Sequence, residues 1–131
     1  MEDSHSQEAT LTPAAEAVLA RAWDDWVSLG EAKQVVSEVS EHATAAELRE
    51  DTIRTVALLL ERNLARAGDV LAGFVAWDLD PAAAITRVRG GWTDPEARLL
   101  PGDVCWLAGT AAGLAVGDGV LARREEQNGR G

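Results

Sequence analysis

One cysteine, Cys105, stands in the 131 residues of this chain, with one lysine, one phenylalanine and no tyrosine. A lone thiol excludes an internal disulfide framework and any thiolate metal cluster built by one chain. Long apolar runs are missing too. Stretches such as Val56–Leu60 fall far short of the ~20 residues that a membrane-spanning helix needs. Met1–Thr10 is polar and acidic, without a basic start or an apolar stretch, so no secretory signal is expected there. Basic residues are scarce, 12 against 22 acidic ones, for a formal net charge of −10. A nucleic-acid backbone is gripped by a basic face that releases counterions, and this sequence offers none. Anionic membrane surfaces repel such a chain for the same reason. The two histidines and one cysteine do not make a zinc ligand set. Neither a metal nor a cofactor is expected, and a cytoplasmic location is.

What is present reads as a folded protein, 47% hydrophobic and 26% charged. The length fits one domain. A globular unit is expected over 11–124, with a flexible acidic arm at 1–10 and a flexible polar tail at 125–131. The acidity is uneven. Residues 1–65 hold thirteen acids against five bases, whereas 66–131 hold nine against seven. Such a field attracts basic proteins and speeds encounter with them. Solubility alone is the simpler account of it.

Thr12-Pro13 is a helix start, a hydroxyl cap followed by a residue with no N–H to lose. Ala15, Leu19, Ala22, Trp26 and Leu29 continue from it at helical spacing, and Gly30 is a stop. A short second helix is expected over Glu31–Val39. Thr44-Ala45-Ala46-Glu47 is a capping box. It opens a third helix with a buried stripe of Ile53, Val56, Ala57, Leu60 and Leu64, ending near Arg66 with Gly68 as terminator. Val70-Leu71 and Phe74–Trp77, around Gly73, read as a hairpin. Asp80-Pro81 restarts a helix through Ala84, Ile85 and Val88, and Val104–Leu107 reads as a further strand. The small-residue segment 108–124 has no legible period. The expected fold is therefore α+β: a compact single domain, helices first and then a short hairpin, winged-helix-like, with the wing at Arg66–Trp77. An irregular helical bundle with a small sheet is the alternative.

Few residues offer chemistry. Cys105 sits in Val-Cys-Trp-Leu, a core-strand context in which a thiol is inert. His42 reads as a solvated loop residue. Gly109–Gly113 lacks the lysine of a phosphate-cradling loop and reads as a turn with small-residue packing. Asp24-Asp25 and Glu50-Asp51 are adjacent carboxylates. On a helix they point about 100° apart and make no acid–base dyad. Asp24, Asp25, Glu47, Glu50 and Asp51 converge on one docking face if the first and third helices pack together. Among the five tryptophans, Trp23, Trp26 and Trp77 fit core stripes or their edges. Trp92, after Gly90-Gly91 and before Thr93-Asp94-Pro95, is the one of them most open to solvent and an apolar anchor in a binding reading, although core or edge packing is the favoured account of it.

The run Phe74-Val-Ala-Trp-Asp-Leu-Asp-Pro81, the helix ending at Trp92, then Pro101-Gly-Asp-Val-Cys-Trp-Leu107 and Thr110-Ala-Ala-Gly113 resemble small uncharacterised bacterial proteins that occur beside secreted toxins. The likeness spans about residues 73–113 and includes no catalytic signature. It implies at most a cytoplasmic immunity-type protein that binds and blocks a toxin. The expectation is accordingly an acidic protein-binding module that docks on a basic protein partner, with Asp24, Asp25, Glu47, Glu50, Asp51 and Trp92 as contact residues. A homodimer is compatible with it. Two alternatives stand beside it: a winged-helix-like transcriptional regulator or dimerisation module, and a small biosynthetic enzyme using carboxylates and arginines such as Arg87 and Arg89.

Overall fold

In the computed structural model, which describes residues 11–129, the first helix starts where its cap demands. The Thr12 hydroxyl accepts the Ala15 N–H at 3.1 Å, Pro13 follows, and α1 runs over Pro13–Asp24. It stops five residues before the expected Leu29. Asp25 is extended and its carboxylate takes the Trp26 N–H at 2.7 Å, a local bond that competes with helix. Val27–Ser28 then form β1. The Ser28 hydroxyl caps α2, Leu29–Val39, by accepting the Glu31 N–H at 3.1 Å. Gly30, expected as a stop, instead lies in the first turn of α2. Glycine is required there because a Cβ would run into the Leu99 carbonyl.

The capping box opens α3, Ala45–Glu61, as expected. Thr44 accepts the Glu47 N–H at 3.1 Å, and the Glu47 carboxylate takes the Ala43 N–H at 2.9 Å. The helix ends at Arg62 and not at Arg66. Asn63 adopts a left-handed φ of 57°, and the N–H groups of Asn63 and Leu64 bond back to the carbonyls of Leu60 (3.1 Å) and Leu59 (2.8 Å). That is a Schellman stop with asparagine where glycine is usual. Gly68, expected as the terminator, belongs to a strand.

The strands are β2 (Ala65–Val70), β3 (Phe74–Ala76) and β4 (Trp106–Gly109), in a four-stranded antiparallel sheet of order β1-β4-β2-β3. The β2–β3 hairpin occupies the residues at which a wing was expected. Between β3 and β4, α4 spans Pro81–Gly91, capped by Asp80, which accepts the Ala83 N–H at 2.8 Å. Segment 108–124, illegible in sequence, closes β4 and then enters α5, Ala111–Gly129. Residues 125–129, expected as a tail, are the last turns of that helix, whereas the arm at 1–10 lies outside the described residues. Among the described residues the architecture is thus α+β, five helices and one four-stranded sheet, with helices first and then a hairpin. The winged-helix likeness is not established, because β4 intervenes between β1 and the hairpin and a fifth helix follows.

Helix α5 is weakly amphipathic because glycine, not a bulky stripe, makes its contact. The Thr110 hydroxyl accepts the Gly113 N–H and donates to the Asn63 carbonyl (3.1 and 2.8 Å). Gly113 then rests on the Leu64 carbonyl and Gly117 on the Leu19 carbonyl of α1, so close that a Cβ at either position meets backbone. Gly119 faces open space. The opposite signs of two glycine substitutions follow. Gly113→Ala should cost about 1–3 kcal/mol, because overpacking outweighs the better helix propensity of alanine. Gly119→Ala should gain about 0.5–1 kcal/mol. Urea titration of both variants checks this, and equal effects would mean that α5 does not seat on α1 through its glycines.

Candidate partner-binding face

The structure separates the five acids expected to converge. Thr12, at the start of α1, shares a groove with Asp51, Arg54 and Leu58 of α3. At a rise of 1.5 Å per residue, the twelve residues of α1 carry Asp24 about 18 Å along from that point. Asp24 and Asp25 therefore lie at the far end of α1 from the groove that Thr12 shares with Asp51. The length of α1 speaks against a single five-acid face.

The α3 acids are also engaged internally. Glu47 completes the capping box. Asp51 bonds the His42 Nε2 at 2.8 Å, and His42, expected as solvated, keeps only 11% of its side chain exposed. Glu50 meets Arg89 of α4 at 2.9 Å and Arg49 at 2.7 Å. Arg49 in turn donates to the Trp92 carbonyl (2.6 Å) and the Arg89 carbonyl (3.4 Å), placing a cation on the C-terminal carbonyls of α4. The hydrogen bond from Arg89 chiefly holds the Glu50 carboxyl below its ordinary range, opposed by slight desolvation. This cluster ties α3 to α4. Trp92 is 1% exposed and among the largest core side chains, because the helix end that it caps turns it inward; the core packing favoured for it holds and the anchor role does not.

Other aromatics take the exposed role. Val27 and Leu107 pair across β1–β4, and Ala67 and Leu107 across β2–β4, all three buried on the helix side of the sheet. By strand alternation Trp26, Trp106, Gly68 and Phe74 belong to the opposite, outer side. A Cβ on Gly68 would lie 2.9 Å from the Phe74 ring. The Phe74 and Trp26 ring centroids are 6.3 Å apart. Trp26 is 39% exposed and Trp23, on the adjoining turn of α1, 50% exposed. Both fitted core stripes in sequence only because α1 was expected to run on to Leu29. Asp24 and Asp25, both exposed, lie between them in the run Trp23-Asp24-Asp25-Trp26. Phe74 and Trp106 were not singled out from sequence. The signal that finds them is the two-residue alternation about buried Val27 and Leu107, visible only once the strands are paired.

Arg87 and Cys105 both have structural settings. Trp77 is buried as expected, its Nε1 donating to Asp69 at 3.1 Å and its ring lying under the Arg87 guanidinium at 3.9 Å. The Cys105 thiol is fully buried. Burial, aided by Asp69 and opposed by Arg87, pushes its pKa up to about 12. No helix among the described residues is long and apolar enough to cross a membrane.

The Cys105 environment has two consequences. Thiol reagents at neutral pH should label the native protein slowly and the urea-unfolded chain fast. Because the thiol is held protonated in the fold, stability should be unaffected below the ordinary thiol value of ~8.5 and fall as pH rises from there toward 12. Fast native labelling would contradict the burial. Glu50→Gln should cost about 0.5 kcal/mol at pH 7, the scale of a half-exposed ion pair. With a lowered carboxyl value, that contribution is present above the ordinary carboxylate range and lost as pH falls through the lowered value. Urea titrations of the variant and parent at neutral and acid pH check that the gap closes in acid. No protein-family model, curated protein or solved structure matches the chain, so its own geometry is what bears on function.

Proposed function

We propose that this protein is a small protein-binding module that docks a basic partner protein on the outer face of its sheet. The observation that carries the reading is the exposed Trp26 ring, 6.3 Å from that of half-buried Phe74, beside the exposed carboxylates Asp24 and Asp25. Solvent-facing tryptophan next to a second ring is the side-chain chemistry of binding hot spots. Carboxylates at the rim steer a cationic surface toward it, in a chain whose net charge is −10. The sharpest form is an immunity-type inhibitor acting in the cytoplasm. A toxin that holds phosphates presents a basic surface, which an acidic inhibitor covers. A nucleic-acid-binding role for α3 is disfavoured, because Glu47, Glu50 and Asp51 crowd its first half.

Affinity capture from the native host supplies the partner, and surface plasmon resonance then tests the face. Trp26→Ala should weaken binding about tenfold or more through faster dissociation, the hot-spot scale. Asp24→Asn with Asp25→Asn should slow association and flatten its salt dependence, since the Debye length falls from about 10 Å at 0.1 M to about 3 Å at 1 M. Glu50→Gln should leave both rates unchanged, because its charge is spent on α4. If Trp26→Ala binds like the parent while Glu50→Gln does not, the contact lies on α3 and the outer-face reading fails.

A further inference from the structure

The free edge of β3 borders the outer face and has a chemistry of its own. Trp77 donates its N–H to the Ala67 carbonyl, and Leu71 donates to the Gly73 carbonyl, both at 2.9 Å. Asp69 and Val75 stand opposite each other midway between these bonds. In an antiparallel pair, residues that exchange hydrogen bonds alternate with residues that do not. Val75 therefore turns its N–H and C=O toward β2, and Phe74 and Ala76 turn theirs away from it. β3 is the last strand of the sheet, so no strand receives the groups of Phe74 and Ala76. Natural edges are blunted by charge, proline, bulges or brevity. Only brevity applies to β3, which is three residues long and paired without a bulge. From Val70 to Trp77 the chain carries neither charge nor proline, and Leu71 and Val75 are 77% and 51% exposed.

We propose that the β3 edge takes an extended basic segment of a partner protein as a further strand. The inference rests on the outer-face reading and names the part of the partner that anchors it. In strand addition, main-chain hydrogen bonds give affinity and alternate side chains give selectivity. Phe74 and Ala76 bond the incoming backbone. The side chains opposite them extend the outer surface beside the Phe74 ring, and the one between them packs on Val75. Charge selects the occupant. Asp78 and Asp80, both exposed, follow β3 directly, in a chain whose net charge is −10. A second copy of this chain fits less well, because it brings the same negative field. Area argues the same way. A strand of three residues is only about 10 Å long, and two of them bury far less than the roughly 1,200 Å² of a stable interface.

The test uses the full chain, labelled with ¹⁵N, and the acetylated, amidated heptapeptide of alternating lysine and valine that begins and ends in lysine. Saturable shifts are expected at the Phe74, Val75 and Ala76 amides, with affinity falling as salt rises. N-methylation of the three central peptide residues keeps charge and side chains but removes the strand donors, and should weaken binding about tenfold or more. Ala76→Pro removes an outward N–H that the β2 ladder does not use, a change that edge strands accept. It should retain the parent spectrum away from the hairpin and bind about tenfold more weakly or worse. If that variant does not fold, the methylated peptide decides. Equal binding of the two peptides, or no saturable shift at Phe74–Ala76 up to about 5 mM, would overturn the proposal. Shifts at Phe74 and Ala76 that grow with protein concentration and salt in the absence of peptide would also overturn it, assigning the edge to a second copy. A failed edge alongside a Trp26→Ala variant that still weakens the captured partner removes strand addition and leaves the outer face standing. Peptide at the edge alongside an inert Trp26→Ala does the reverse.

Discussion

Leu107 pairs with Val27 on one side and Ala67 on the other, and three distant stretches of chain meet in that row. Without β4 between them, β1 is a two-residue extended link and β2–β3 an isolated hairpin, which is marginal in water. The row also divides the molecule chemically. Val27, Leu107 and Ala67 send their side chains into the helices. Their strand neighbours Trp26, Trp106 and Gly68 face outward, and Gly68 leaves room for the Phe74 ring. One register therefore sets both the core and the aromatic surface, and a one-residue slip in β4 would exchange them.

Charge is distributed by the same logic. Most of the acids on α3 serve the fold: Glu47 its cap, Asp51 the His42 contact, Glu50 the bridge to α4. Arg21 similarly joins α1 to Glu31 and Glu38 of α2 at 3.0 and 3.6 Å. Such half-exposed pairs add little stability each, and their main effect is to remove those charges from the pool that greets a partner. Asp24 and Asp25 are left at the aromatic corner, where charge and apolar area act on the same encounter. Net charge describes the long-range field, whereas pairing decides which carboxylates a partner meets.

The two faces of β2 carry different chemistry because β3 is shorter than β2. On the outer side the strand supports an aromatic surface suited to a broad contact. On the inner side β3 ends early, and Leu79 and Pro81 wall a small cavity there with Leu60, Trp77 and Ala84. The ring of Trp77 is held there by the Asp69 hydrogen bond and the Arg87 stack, which fix the wall of the cavity.

Local stereochemistry was legible from sequence wherever a residue acts on its own neighbours. Thr12-Pro13, the Thr44–Glu47 box and Asp80-Pro81 each open a helix as expected, since cap and first turn lie within four residues of each other. The α+β class, the hairpin after the helices and the burial of Cys105 followed from the same short-range patterns. Tertiary structure decided what depends on a distant partner. Val27 is a strand residue because Leu107 lies opposite it, which ends α1 early and turns Trp26 outward. Gly113 and Gly117 look like turn residues until the carbonyls of Leu64 and Leu19 require their missing side chains. Trp92, flanked by turn-forming residues, leaves both core packing and an exposed anchor open in sequence, and the clamp of Arg49 on its carbonyl, which holds the end of α4 against α3, decides for the core. The separation of Asp24 and Asp25 from Glu47, Glu50 and Asp51 is of the same kind: composition counts charges, and only the length and direction of a packed helix determine which of them share a surface.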